Sequence, residues 1–535
     1  MVIKLKNLLI GINAKYIHTN LAIRLLKKNT TYLCSIIEFN IKDAKEKIIN
    51  YIKEGKYDTV GFSCYIWNIT LVKEVVKEIR NLPCKIILGG PEVSYNASYY
   101  LDNNLADYVI KNEGEESYHY LLEYLDNKRT IESVPNLYHK NGFTFDKLVD
   151  LDKIKMAYDL IDDYQSRIIY VETSRGCPYK CSYCMASLDN KVRFFNIEEI
   201  KKQILFLINK GTKTFKFLDR TFNANKRNFL SLIDFIIENH KEGNSFQFEI
   251  TGDLLDPDVI QYINDKAPKN LFRFEIGIQS TNIEANRLVG RIQNNEKLFS
   301  NIRLIQDGQK IDLHLDLIAG LPKEDYKSFE KTFNDVLSLR PKELQLGFLK
   351  LLYGTKLKDD AEKFNYRYSQ DPPYEIISND SLSIEDIQKI HIVEDAFETY
   401  YNSSYMKKAI NFILDNIDNP YQFFYNFGLH RKKEKGLDKV FFELASYLQD
   451  INFEKYDEAH ILLLADYFNY FNQKPKFWWH CDKEKRTSLL RNVHNMNIGY
   501  NLDQLYRYAS IVEYKSTYIL AIYLPNKKEV LILNK

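Results

Sequence analysis

Three cysteines, Cys177, Cys181 and Cys184, fall within eight residues of one another in the string Thr173-Ser174-Arg175-Gly176-Cys177-Pro178-Tyr179-Lys180-Cys181-Ser182-Tyr183-Cys184, directly after an apolar stretch. Cys-x3-Cys-x2-Cys spacing puts three thiolates in one short loop able to wrap an iron–sulfur cubane. Ferredoxin-type clusters have four thiolates, so three leave one iron open to an external ligand, which is what a catalytic cluster requires. A structural zinc site is the alternative, but it needs four N or S donors, usually from pairs of close cysteines. Neither a second pair nor a nearby His is present in the sequence. A cluster kept for stability or redox sensing, without catalysis, is a further alternative.

The elements around this loop read as alternating strands and helices. Strand-like stretches at 8–12, 34–38, 59–63, 85–88 and 108–110 are separated by helical patterns at 44–53 and 71–80, the latter with Val72, Val75, Val76 and Ile79 on one face. Such alternation predicts βαβ units and a parallel sheet, whose ligands sit beyond the strand C-termini. Asn13, Ser63, Gly89 and Gly90 occupy those ends. A second block repeats the pattern, with strands at 168–173, 214–218, 245–250, 273–278, 312–317 and 343–348; six βα repeats predict a partial barrel with its chemistry at the C-terminal strand ends. Asp371-Pro372-Pro373 marks a break, after which the chain is mainly helical until strands at 511–514, 518–524 and 530–533. The predicted domains are 1–140, a linker at 141–164, 165–365 and 366–535.

The cysteine loop resembles the signature of the radical S-adenosylmethionine (SAM) enzymes, including the aromatic Tyr183 before the third cysteine. Phe217-Leu218-Asp219-Arg220-Thr221-Phe222-Asn223, Arg273-Phe274-Glu275-Ile276-Gly277-Ile278-Gln279-Ser280 and Leu315-Asp316-Leu317-Ile318-Ala319-Gly320-Leu321-Pro322 are similar, in order, to that family's second, fourth and fifth barrel strands. The resemblance implies a [4Fe–4S] cluster on Cys177, Cys181 and Cys184 whose open iron chelates SAM and cleaves it to a 5′-deoxyadenosyl radical. It also implies SAM contacts from Tyr183, Asp219, Glu275, Gln279 and Arg291; for each polar residue among them, a hydrogen bond satisfied within the barrel mouth is the plainer reading.

The N-terminal block has one glycine after its first strand rather than G-x-G-x-x-G, so a dinucleotide site is poorly supported. Val60-Gly61-Phe62-Ser63-Cys64-Tyr65-Ile66-Trp67-Asn68, Ile86-Ile87-Leu88-Gly89-Gly90-Pro91-Glu92 and Asp107-Tyr108-Val109-Ile110-Lys111-Asn112-Glu113-Gly114-Glu115 instead resemble the cobalamin-binding domains that precede radical SAM barrels, with Asn112 where a glycine is common. By that resemblance Asn13, Ser63, Gly89 and Gly90 line the cobalamin site. The cobalt-ligating D-x-H-x-x-G motif is absent, and His18, after the first strand, is the one candidate lower ligand in the region; a helix-start hydrogen bond is the simpler role. Cys34, Cys64 and Cys84 would matter to a methylthiotransferase, but their apolar settings read as buried packing.

The resemblance therefore implies an α/β chain. A Rossmann-like cobalamin-binding domain leads into a partial (β/α)6 TIM-type barrel, followed by a mainly helical domain ending in a few β-strands, like the uncharacterised tail of one subgroup of these enzymes. The expected activity is methyl transfer to an unactivated carbon of a small molecule, with flavodoxin or ferredoxin as electron donor and with no catalytic side chain identified. An RNA methylthiotransferase without cobalamin, or a cobalamin-dependent radical cyclase or ring-contracting enzyme, is the alternative. Seven cysteines in 535 residues argue against a disulfide framework. The formal net charge of +2 does not suggest a nucleic-acid-coated surface. With neither a secretory leader nor a membrane-spanning run legible, a cytoplasmic protein is expected. Phe423–Phe427 and Trp478-Trp479 could stack on an aromatic substrate but more often belong to a core, and Arg431-Lys432-Lys433 with Lys435 reads as solvated surface.

Overall fold

The computed structural model describes residues 5–433, 436–471 and 481–535; Lys4, Lys435, Trp478 and Trp479 lie outside them. Two compact units are present: Met1–Phe329 with Leu339–Pro341 and Leu346–Ser383, and Glu330–Ser338 with Lys342–Gln345 and Ile384–Lys535.

The first unit opens with a seven-stranded sheet. Its strands are β1 (Asn7–Asn13), β2 (Cys34–Asn40), β3 (Thr59–Ser63), β4 (Lys85–Gly89), β5 (Tyr108–Ile110), β6 (Leu137–His139) and β7 (Gly142–Phe143), in the order β2-β1-β3-β4-β5-β6-β7. The first five run parallel. β1 and β3 are buried along their whole length, as strands covered on both faces must be. The order reverses between β1 and β3, and a crevice opens at such a switch point beyond the strand ends. The edge departs from the expected all-parallel sheet, because β6 and β7 add antiparallel to β5. Those strands are three and two residues long, too short for a period to register in sequence.

The second sheet begins with β8 (Ile168–Val171) and is followed by a small antiparallel pair, β9 (Ser174–Arg175) and β10 (Arg193–Phe194). It continues with β11 (Thr214–Phe217), β12 (Ser245–Ile250), β13 (Phe272–Gln279), β14 (Asp312–Ala319) and β15 (Glu343–Phe348), in the order β15-β14-β13-β12-β11-β8. Alternation is strict along β12 and β13. Phe215, Phe217, Phe246, Phe248, Phe272 and Phe274 form the buried face, with Phe215 stacked on Phe246 at 4.3 Å between centroids. The opposite face carries Tyr170, Lys216, Gln247, Glu249, Arg273 and Glu275, so the inner side of this partial barrel is polar rather than filled by the branched aliphatic layers usual in closed barrels.

The two parts of this unit are joined by backbone. Ile168 N–H donates to Ile17 O at 2.7 Å and Thr19 Oγ1 donates to Ile168 O at 2.9 Å. The loop after β1 thus covers the free edge of β8, which would otherwise expose unpaired groups. A salt-bridge cluster seals the join: Glu38 lies 2.8 Å from Arg24 and 2.9 Å from Arg167. Burial alone would raise the Glu38 carboxyl, but the two guanidiniums hold it down at about 2.

The second unit is mainly helical, with helices including Ile384–Phe397, Lys407–Leu414, Pro420–His430, Leu437–Asp450, Tyr456–Tyr470 and Lys483–His494. Phe423, Phe424 and Phe427 are buried among Phe397, Tyr400 and Tyr447, so they are core. A three-stranded antiparallel meander ends the chain.

Candidate active site

The cysteine loop leaves the C-terminal end of β8, and its start is clamped by Asp219 from the loop after β11. Thr173 N–H donates to Asp219 Oδ2 at 3.1 Å, and the Thr173 and Ser174 hydroxyls each donate to Oδ1 at 2.5 Å. Burial pushes the Asp219 carboxyl up to about 6, against these hydrogen bonds. Both oxygens are thus engaged within the protein. Gly176 has φ +89, and a Cβ there would fall 2.5 Å from Lys191 O; only glycine fits. Cys177 N–H donates to Asp189 O at 2.9 Å, Ser182 N–H to Val289 O at 2.8 Å and Cys184 N–H to Cys181 O at 3.0 Å.

Cys177 and Cys181 are buried and Cys184 half-buried. Burial raises the Cys181 and Cys184 thiols, while Arg291 beside Cys181 and Arg220 near Cys184 oppose it. No group of three or more His, Cys, Asp or Glu among the described residues is disposed to hold a single metal ion. The donor set itself, three thiols in one constrained loop, suits an iron–sulfur cluster with one corner open.

Arg291 brings several predicted residues together. It contacts the Cys181 thiol and the Tyr183 hydroxyl, donates to Gly277 O, and reaches Gln293 Oε1 at 3.1 Å. Gln279, at a bulge between β13 and β14, has φ +68, and its buried Oε1 has no hydrogen-bond partner among the described residues. A strained residue with an open polar atom at a strand end is the kind of position that a ligand completes. Glu275 is placed differently: Gln247 donates to it at 2.5 Å and Lys216 lies 3.2 Å away. Burial would raise its carboxyl, but Lys216 holds it below the ordinary value. Tyr183, Gln279 and Arg291 therefore share one locality with Cys181, whereas Asp219 and Glu275 are tied into other contacts.

A cavity of about 580 Å³ opens at the β1/β3 switch point. Asn13, Ser63, Gly89 and Gly90 all line it, together with Tyr170, Glu172, Arg175 and Leu218 from the barrel side. Much of the rest is aliphatic: Leu9, Leu25, Leu26, Ile87 and Ile110. Gly90 has φ +116, and a Cβ there would meet Cys64 O at 2.5 Å. Asn112, in place of the usual glycine, has φ +56, which asparagine tolerates best among non-glycine residues. Tyr65 and Trp67 stack at 4.4 Å on the same wall. His18 also lines the cavity, with Nδ1 hydrogen-bonded to the Tyr170 hydroxyl at 2.7 Å; burial lowers its pKa, helped by Lys15.

The polar group that links cavity and cysteine loop is one the sequence reading passed over. Arg175, two residues before Cys177, pairs with Glu115 at 2.6 Å, Glu172 at 3.0 Å and Glu113 at 3.3 Å. Glu113 is shared with Arg193 at 2.5 Å. Burial would raise Glu113, but Arg193 and Arg175 hold it down. Glu113-Gly114-Glu115 stood in the quoted motif, and an arginine next to the cysteines was the available signal. Cys34, Cys64 and Cys84 are buried packing: Cys34 lies in one apolar cluster, Cys64 and Cys84 in another.

The fold and this pair of sites define a radical SAM enzyme joined to a cobalamin-binding domain. The Radical SAM superfamily pattern matches residues 171–336, the B12 binding domain residues 7–122, and a domain of unknown function (DUF4080) residues 362–519. The chain belongs to the radical SAM proteins with an N-terminal B12-binding domain, and its cofactors are a [4Fe–4S] cluster, SAM and cobalamin. It is 24% identical over 340 residues to an uncharacterized methyltransferase of Pyrococcus horikoshii, spanning 59% of this chain and 71% of that protein. Three other relatives named as methyltransferases match over less than half of their own lengths, 43%, 45% and 45%. In fold it is similar to the cobalamin-dependent SAM radical enzyme OxsB with aqua-cobalamin bound, at TM-score 0.61 and 14% identity, over 92% of this chain and 84% of that one. It is similar too to the methyltransferase TsrM of Kitasatospora setae with cobalamin and a [4Fe–4S] cluster, at TM-score 0.58 and 15% identity, over 69% and 82%. No helix among the described residues is long and apolar enough to cross a membrane.

Proposed function

We propose that this enzyme transfers a methyl group to an unactivated carbon of a small molecule, with Cys177, Cys181 and Cys184 holding the cluster. One observation carries the reading: the 580 Å³ cavity is walled jointly by the strand ends of the N-terminal sheet and by Arg175, two residues from the first cysteine of the loop. On this reading the cavity would hold cobalamin and the cysteine loop the cluster, with Arg175 common to the surroundings of both. When bound, the cluster supplies the electron that cleaves SAM and cobalamin carries the methyl group.

The chain's own residues position and shield. Asp219 fixes the start of the cysteine loop through Thr173 and Ser174. Arg291 sets Tyr183 and offsets charge on Cys181, while Gln279 Oε1 is open to a donor on SAM. Ser63 is held by Asn20 Nδ2 at 2.8 Å, and Asn13 donates to His18 O at 2.9 Å; with Gly89 and Gly90 they shape the floor of the cobalamin cavity. The names of relatives support methyl transfer over a cobalamin-free methylthiotransferase, and the separate burial of Cys34, Cys64 and Cys84 agrees. We place the reaction in the cytoplasm, where an open-cornered cluster is kept reduced, with flavodoxin or ferredoxin as electron donor. Anaerobically reconstituted protein, incubated with methyl-labelled SAM, a strong reductant and a whole cell extract holding both its RNA and its small molecules, tests the reading. 5′-Deoxyadenosine and a labelled small molecule are expected; 5′-deoxyadenosine with label in RNA, or no 5′-deoxyadenosine, would refute it.

A further inference from the structure

On the Cys184 side of the loop stands a cation that the functional reading leaves unused. Arg220 follows Asp219 directly, so the bonds from Thr173 and Ser174 to Asp219 fix its backbone beside the start of the cysteine loop. The charges of Glu249, Cys184 and Glu275 all act on it, yet its side chain is 58% exposed. A guanidinium offers five N–H donors in a fixed fork. Among the described residues the Arg220 guanidinium makes one hydrogen bond, Nη1 to Glu249 Oε2 at 3.4 Å, which is long for a charge-assisted bond. Lys216, on β11 itself, is by contrast drawn to Glu275 at 3.2 Å.

The loop therefore has a guanidinium on each side. Arg291 is spent on Cys181, Tyr183, Gly277 O and Gln293. Arg220, near Cys184, keeps most of its donors open. SAM also brings a carboxylate to this locality, so a substrate anion is told from it by whether binding persists once SAM is present. We propose that Arg220 anchors an anionic oxygen group, carboxylate or phosphate, of the small-molecule substrate. Substrates of this enzyme are then organic anions rather than neutral lipids, held by a planar fork suited to two-point recognition. The inference rests on the reading of the cysteine loop as the cluster and SAM site.

Calorimetric titration of sodium succinate and of inorganic phosphate into cluster- and cobalamin-loaded enzyme, with and without saturating SAM, tests it. At least one anion should bind in both states. Arg220→Gln should weaken binding by about ten- to a hundredfold, and Arg220→Lys should fall between. Equal binding by wild type and Arg220→Gln, or no binding by wild type, overturns the proposal. Binding that disappears once SAM is present assigns Arg220 to the SAM carboxylate and overturns the substrate role. Iron and cobalt content of the same samples separates the two failures: full loading without anion binding overturns the Arg220 proposal alone, and protein that takes up neither metal overturns the reading on which it rests.

Discussion

Around the cysteine loop polar groups are fixed by other polar groups: Thr173 and Ser174 by Asp219, Arg175 by three carboxylates, Tyr183 by Arg291. The cavity at the β1/β3 switch point meets the Arg175 group on its barrel side but owes much of its remaining wall to aliphatic side chains and close backbone, with Gly90 where no Cβ fits. The loop presents donors of one chemical type at fixed spacing, and the cavity presents a shape. The difference teaches that the first site should fail abruptly when one atom type is lost, and the second by degrees as volume is lost.

The sharpest test of the contrast is Cys→Ala at 177, 181 or 184. Each change should abolish the cluster's visible absorbance and all 5′-deoxyadenosine release while cobalamin is still retained. Arg175→Gln comes next, because it leaves the buried Glu115 and half-buried Glu172 without their cation and Glu113 with Arg193 alone. Removing one partner of a buried ionic group costs about 3–5 kcal/mol, so a clear fall in Tm by calorimetry is expected, partly recovered on acidification as the carboxylates protonate. An unchanged Tm would mean that the cluster contributes nothing to the join.

Gly90→Val probes the cavity. Its strained backbone and the clash with Cys64 O should cut cobalamin retained after gel filtration by about tenfold, from a strain of about 1–3 kcal/mol, with cluster iron unaffected. Parallel loss of both cofactors would erase the distinction between the sites. The least effect on either cofactor is expected at Glu38, where stability alone should change: its carboxyl is held at about 2 by Arg24 and Arg167. A depressed carboxyl adds stability above its unfolded value, about 4.3, and loses it as pH falls through the folded one. Thermal denaturation should therefore show Glu38→Gln less stable than wild type at neutral pH, with the gap closing between about pH 4 and pH 2.

What could be read from the sequence follows the same division. Thr59–Ser63, Ser245–Ile250 and Glu343–Phe348 were legible strand for strand, because hydrophobic runs of that length carry a clear period. Short edge strands such as Gly142–Phe143 carry none. The cysteine trio was plain, since the chemistry demands one residue type at one spacing. Asp219 was singled out for SAM or substrate, but its placement against Thr173 and Ser174 depends on how β8 and β11 pair. The Arg175 cluster joins residues about sixty positions apart, and no local pattern announces such a contact. The fork of Arg220 likewise gains its meaning only from what surrounds it.

Metal analysis of anaerobically reconstituted protein tests the central claim most directly. About four iron atoms per chain in a cluster with one non-cysteinyl corner, together with about one cobalt, is the expected result, with the iron spectrum shifting when SAM is added. Zinc on the three cysteines, or a cluster already closed by a fourth side chain and indifferent to SAM, would contradict it.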